Sequence, residues 1–257
     1  MKKFSMVLII ICFGAYVHAV ISIDPLRREI SAKPGEKIKG AYTITNTEDQ
    51  PIVVTVTPKK HFVLEENKKF KLNDWFKLSD KEFTLQGKGS KEIQYTIKIP
   101  RKAQGFLMLN NSFLTRKLDT SGAVVAEMLN TAISVPIYIQ IDGTAQISAE
   151  IKDLAVTGDV NNLIVYVTVS NSGNVYLRPS GTISIDQNGK NLGTAYIKKG
   201  WPVFPEKTES YRTNKASFSL EPGIYDITAH LTNTDPVIEL TRQMQISVDD
   251  KGMVKTK

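Results

Sequence analysis

The amino-acid sequence predicts an all-β protein folded as two tandem β-sandwiches. Three observations carry that expectation. From residue 20 onward, apolar residues recur with period two in short runs. Gly, Pro, Asn and Asp close those runs about every ten positions, and no twelve-residue stretch keeps a helical period.

The first nineteen residues stand apart from this pattern. Lys2 and Lys3 precede an apolar run from Phe4 to Val17, and Val17-His18-Ala19 offers modest side chains for cleavage, so 1–19 is expected to be a signal peptide. About fourteen residues at 1.5 Å each reach about 21 Å, short of a hydrocarbon core of about 30 Å. The single cysteine, Cys12, lies inside that run, which leaves no disulfide framework in the remainder. No later stretch approaches the length of a spanning helix. The expected product is periplasmic or extracellular, with no transmembrane anchor after cleavage.

Residues 20–142 read as the first sandwich. An edge segment over Val20–Ile23 is followed by the Lys33-Pro34-Gly35-Glu36 turn and the alternating run Ile38–Ile44. Ile52–Thr57 is β-branched throughout, a surface suited to a pleat. A short strand near Phe83, the run Glu92–Ile99 ended by Pro100, and the segments Gly105–Leu114 and Thr131–Ile141 complete about seven strands. Lys60–Trp75 fits either a long loop or an edge strand, and Ala123–Leu129 is long enough for a helical turn or two. After Asp142-Gly143-Thr144 the spacing restarts, and 143–250 reads as a second sandwich. Its strands are Ile147–Ile151, Leu163–Val169, Thr182–Ile185, Ala216–Leu220, Tyr225–Leu231 and Gln243–Val248. Asp186-Gln187-Asn188-Gly189 supplies a tight hairpin turn. Residues 251–257 read as a polar tail.

The chain carries 33 Lys and Arg against 26 Asp and Glu. Within 20–142 the count is 19 to 14, and within 143–257 it is 12 to 12, so the basic surplus belongs to the first sandwich. Lys59-Lys60 and Lys68-Lys69-Phe70-Lys71 look superficially like a phosphate and base-stacking surface. Glu65-Glu66 dilutes that charge, and an exported protein seldom meets nucleic acid, so no nucleic-acid partner is expected. No G-x-S-x-G elbow surrounds a serine, and beyond the signal only His61 and His230 remain. Neither histidine has a second within ligand spacing, and no calcium-loop ladder of acids occurs. The expectation is a non-enzyme with no catalytic residues, no metal and no cofactor.

Thr131–Ile141 is the richest segment. Ile133, Val135, Ile137, Ile139 and Ile141 share one side of a strand, and Pro136 on the other register withholds a ladder donor, which marks an edge. Such a face has two uses. It is the core side of the last strand of its sandwich, or part of it stays open so that an incoming chain pairs with the backbone.

Several of these segments together resemble a known family. Ser22-Ile23-Asp24-Pro25-Leu26-Arg27, the Lys33–Glu36 turn, Tyr42–Thr47, the run from Leu85 into Pro100 and the Ile133–Ile141 strand resemble the immunoglobulin-like first domain of periplasmic pilus-assembly chaperones. They equally resemble a related bacterial domain that binds cell-surface proteins. Val169–Val175, Arg178-Pro179-Ser180-Gly181 and Leu220–Tyr225 resemble the immunoglobulin-like domain that follows it. The resemblance implies a chaperone-like partner of an envelope or surface protein, which would be held by β-strand addition. It also implies a pair of basic residues gripping the client's terminal carboxylate. Arg27 falls at the first basic position, whereas nothing between Leu129 and Ile141 is Lys or Arg. A structural or adhesive surface module is the alternative function.

Overall fold

The computed structural model describes residues 20–118 and 132–257. The expected signal peptide and the Ala123–Leu129 turn lie outside the described residues. The first half holds β1 (Ile21–Asp24), β2 (Arg28–Ala32), β3 (Lys37–Asn46), β4 (Ile52–Val63), α1 (Leu72–Trp75), β5 (Phe76–Leu78), β6 (Glu82–Leu85), β7 (Ser90–Lys98), β8 (Phe106–Lys117) and β9 (Ala132–Ile141). The second holds β10 (Ala149–Thr157), β11 (Ile164–Asn171), β12 (Ser180–Gln187), β13 (Lys190–Ile197), β14 (Lys207–Arg212), β15 (Gly223–Thr234), β16 (Val237–Val248) and β17 (Val254–Thr256).

Alternation dictates what these strands do. In β3, β7 and β9 apolar residues recur at every second position, so each strand can turn one side inward, and two sheets must face each other to hide those sides. The sheets are ordered β1-β3-β7-β5 and β2-β9-β8-β4-β6. Between them lie Tyr42, Ile44, Ile52, Val54, Ile93, Ile97, Leu109, Phe113 and the inward residues of β9. The second pair of sheets, β10-β11-β14 and β13-β12-β15-β16-β17, encloses its own core around Val165, Val167, Ile183, Ile227 and Leu231. Asn188 and Gly189 both adopt positive φ between β12 and β13, as the tight hairpin requires.

Each sandwich uses a buried asparagine in the same way at the end of a strand. Asn46 Nδ2 donates to the carbonyls of Gln50 (2.8 Å) and Gln86 (3.0 Å), while its Oδ1 accepts the Glu48 N–H. Asn171 Nδ2 donates to the carbonyls of Val175 (2.8 Å) and Val203 (2.9 Å), and its Oδ1 accepts the Gly173 N–H. The buried amide satisfies backbone groups that the turning chain would otherwise leave unpaired.

Four expectations change. The alternation predicts none of β2, β5 and β14, because Arg28–Ala32 and Phe76–Leu78 are too short to show a period and Lys207–Arg212 is almost wholly polar. Lys60–Trp75 is neither a plain loop nor an edge strand. β4 runs on to Val63, a 3-10 turn follows at Glu65–Asn67, and α1 tucks Trp75 into the core. Lys60 Nζ in this segment donates to the carbonyls of Lys68 (3.1 Å) and Phe70 (2.9 Å), so its charge serves its own loop. Ala216–Leu220 forms one isolated bridge, Leu163 with Ala216, rather than a strand. The expected polar tail contains β17, which pairs with β16 because Val254 is buried against the second core.

A third apolar cluster joins the halves. The outer side of β8 and β9 presents Phe106, Met108 and Tyr138, which pack with Leu64, Phe62, Tyr176 and Phe204. Phe62 and Phe204 stack with centroids 5.0 Å apart. Near the connection, Gly105 N–H donates to Thr144 Oγ1 (2.7 Å) and Asn174 Nδ2 donates to the Thr144 carbonyl (3.0 Å). A Cβ on Gly105 would stand 2.4 Å from the Asn174 carbonyl oxygen, and its φ of +60° also favours glycine. Fragments 20–142 and 143–257 are each expected to unfold cooperatively in urea, with midpoints below that of the whole chain because separation exposes Phe106 and Tyr138. Absence of a cooperative transition in both fragments would refute a division at 142.

Candidate protein-binding site

β9 is covered unevenly. On one side it pairs with β8 along its whole length, from Phe106↔Gln140 to Leu114↔Ala132. On the other, β2 runs parallel to it only from Arg28↔Ile137 to Ala32↔Ile141. Among the described residues, no strand lies beside Ala132–Pro136 on that second side.

Backbone alternation fixes which groups this leaves. Ile141 N–H donates to the Gly105 carbonyl (2.8 Å) on the β8 side, and Asp142 N–H donates to the Ala32 carbonyl (2.9 Å) on the β2 side. Counting back by twos, odd-numbered residues of β9 turn their amides toward β8 and even-numbered ones turn theirs away. The N–H and C=O of Ala132 and Ser134 therefore line the open edge, while the C=O of Pro136 already faces Arg28 at the start of β2. The donor that proline lacks is missing from this edge, so the ladder with β8 stays intact.

The side chains follow the same alternation. Val135, Ile137, Ile139 and Ile141 are fully buried, and Ile133 is partly buried against the same core. The reading in which this aliphatic face stays open does not hold for those four residues. The opposite sheet covers them, and β2 makes the second half of β9 an interior strand. Only the first half is an edge, and what it exposes is backbone.

Where the open edge ends, a cleft of about 630 Å³ begins. Leu26, Arg27, Pro136 and Tyr138 line it from the first sandwich, and Arg178, Gly200 and Trp201 from the second. Arg27 is exposed, with its Nε 3.3 Å from Glu29 Oε1. The same oxygen lies 3.1 Å from Arg178 Nε, an ion pair without hydrogen-bond alignment. Arg178 is 6% exposed, and its guanidinium lies 4.9 Å from the Tyr138 ring centroid and 5.7 Å from that of Tyr176. Burial raises the Tyr176 hydroxyl far above its ordinary pKa and the Glu29 charge adds to this, outweighing the opposing pull of Arg178, so the ring stays neutral. One carboxylate, Glu29, is thus shared between the two guanidinium groups that line the cleft.

Of the residues singled out from sequence, Arg27 and the beginning of β9 come together here. His61 and His230 lie on separate sandwiches, in β4 and β15. Among the described residues no three His, Cys, Asp or Glu side chains form a group able to hold a metal ion. Glu29, Arg178 and Trp201 were missed as site residues. For Trp201 a signal existed, since a tryptophan follows the polar Lys198-Lys199-Gly200 at the head of the connection between β13 and β14.

No family model matches the chain, and no curated protein matches it. Among solved structures, the chain is similar to the YadV chaperone at 11% identity, over 88% of this chain and 100% of that one, with a TM-score of 0.47. It is similar to the class 5 fimbriae chaperone CfaA at 14% identity, over 87% and 98%, with a TM-score of 0.47. Similarity to the CupB2 chaperone of Pseudomonas aeruginosa is 11% in identity, over 86% and 98%, with a TM-score of 0.43. These are likenesses of fold.

Proposed function

We propose that this protein is a non-enzymatic, exported binder of another envelope or surface protein, acting in a chaperone-like role by taking a strand of its client onto the first half of β9. The observation that carries this is the open edge of Ala132–Val135, which no strand covers on the β2 side among the described residues and which ends at a cleft lined by Arg27 and Arg178. Unpaired strand edges are sites of strand addition, in which main-chain hydrogen bonds supply affinity.

The direction of the added strand follows from where the edge stops. β2 occupies the ladder from Ile137 onward, so the guest must end beside Pro136, next to Arg27. A strand parallel to β9 brings its C-terminal end there, and a terminal carboxylate complements a guanidinium whose only charge partner among the described residues is a shared glutamate. Arg27 and the edge backbone of Ala132 and Ser134, flanking the partly buried Ile133, are the binding groups of this proposal. The buried Val135, Ile137, Ile139 and Ile141 hold the edge in place.

Because residues 20–257 contain no cysteine, a single one can be placed at will. Ser134→Cys carrying a benzophenone should form adducts with envelope proteins during export. Thr84→Cys, on the exposed opposite edge of the same sheet, should not. Equal labelling at both positions, or none at Ser134, would defeat the proposal.

A further inference from the structure

Trp201 is 79% exposed and Leu26 is 61% exposed, and the two line the same cleft from different sandwiches. An isolated apolar side chain at a surface needs no explanation, but two large exposed ones line this cleft together with Pro136 and Tyr138, beside the guanidinium groups of Arg27 and Arg178.

The backbone under Trp201 is held firmly. Arg178 Nη1 donates to the Gly200 carbonyl (3.0 Å), and the Tyr211 hydroxyl donates to the Trp201 carbonyl (2.7 Å). Val203, two residues on, is buried and exchanges both backbone hydrogen bonds with Leu177 (2.8 and 3.0 Å). The connection is thus tied at three successive points while the indole is left in water. A tethered backbone with an exposed aromatic ring presents apolar surface whose ordering is already complete before a ligand arrives.

We infer that Trp201 and Leu26 form a subsite for the last side chain of the added strand, and that this side chain is aromatic or large aliphatic. The inference rests on the strand-addition proposal, which places the guest's C-terminal end at the cleft. Arg27 recognises the charge of that end, and the second sandwich selects its side chain.

The test uses the chain from residue 20 and three synthetic twelve-residue peptides of one alternating Val/Ser sequence. They end in Phe carboxylate, Ser carboxylate and Phe amide. The Phe carboxylate peptide is expected to bind about ten to a hundredfold more tightly than the Ser one, as burial of an aromatic ring implies. Trp201→Ala should bring the Phe peptide down to the Ser level and leave the Ser peptide unchanged, with an unaltered circular dichroism spectrum. Equal affinity for the Phe and Ser carboxylates, each weakened by Ser134→Pro, would overturn the subsite while the strand-addition proposal stands. Failure of every peptide to bind, or indifference to Ser134→Pro, would overturn the proposal and the subsite together.

Discussion

Ile139→Asp is expected to unfold the first sandwich. Ile139 has no exposed surface, sits opposite Leu107 of β8 and Ile30 of β2, and belongs to the core shared by both sheets. A carboxylate there has neither water nor a described cation beside it, so the folded state must either bury a charge or force its protonation. The loss should be at least about 4 kcal/mol, a large part of the roughly 5–15 kcal/mol that ordinarily holds a domain together. Ile137→Ala, which leaves a cavity without a charge, should cost about 2–5 kcal/mol. Ser134→Pro should scarcely change stability, since the amide it removes points to the open edge, yet it should weaken client capture. Urea denaturation followed by circular dichroism separates the three. An Ile139→Asp protein with a wild-type midpoint would mean that this face is open after all.

Arg178→Ala is expected to uncouple the two sandwiches. Its guanidinium lies against Tyr138 from one half and Tyr176 from the other, pairs with Glu29 of β2, and ties down the Gly200 carbonyl. Alanine removes the cation–π contacts, a charge-assisted hydrogen bond and the packing of a buried side chain together. The combined cost to the interface should be about 2–4 kcal/mol, because Glu29 remains partly solvated and is not stranded as a buried charge. Calorimetry should show a single transition in the wild type splitting into two in the variant. Arg178→Lys should rescue little, since an ammonium cannot lie flat between two rings and reach Gly200 as well. A single transition at the wild-type temperature in Arg178→Ala would show that the aromatic cluster alone holds the halves together.

The sandwich architecture was legible because it is written in local alternation. β3, β7 and β9 each display period two over most of their length, and the turns at Lys33–Glu36 and Asp186–Gly189 use residues whose backbone preferences demand a turn. β2 was not legible, because its pairing with β9 is parallel and nothing in Arg28–Ala32 announces a partner so far along the chain. The same blind spot governed the candidate site. Alternation correctly grouped Ile133 to Ile141 on one side, but whether that side is covered depends on sheet order, which side-chain pattern does not encode. Pro136 pointed to an edge, and the edge exists only where β2 has not yet begun. Arg178 helps to carry the family resemblance but has no site role legible in sequence, because an arginine between Leu177 and Pro179 gains that role only from rings contributed by both sandwiches.

The parallel pairing of β2 also orders events in time. A nascent chain emerges from its N-terminus at roughly 5–20 residues per second, and the mate of Arg28 is synthesised about 110 residues after it. For roughly 5–20 s the earliest strands of this protein exist without the strand that completes their sheet. Until β9 arrives, β8 offers its whole unpaired edge and the apolar sides of both sheets remain wet. A protein proposed to shelter the unfinished sheet of another thus passes through an unfinished sheet of its own, and its yield in the cell should depend on how quickly residues 132–141 follow the rest.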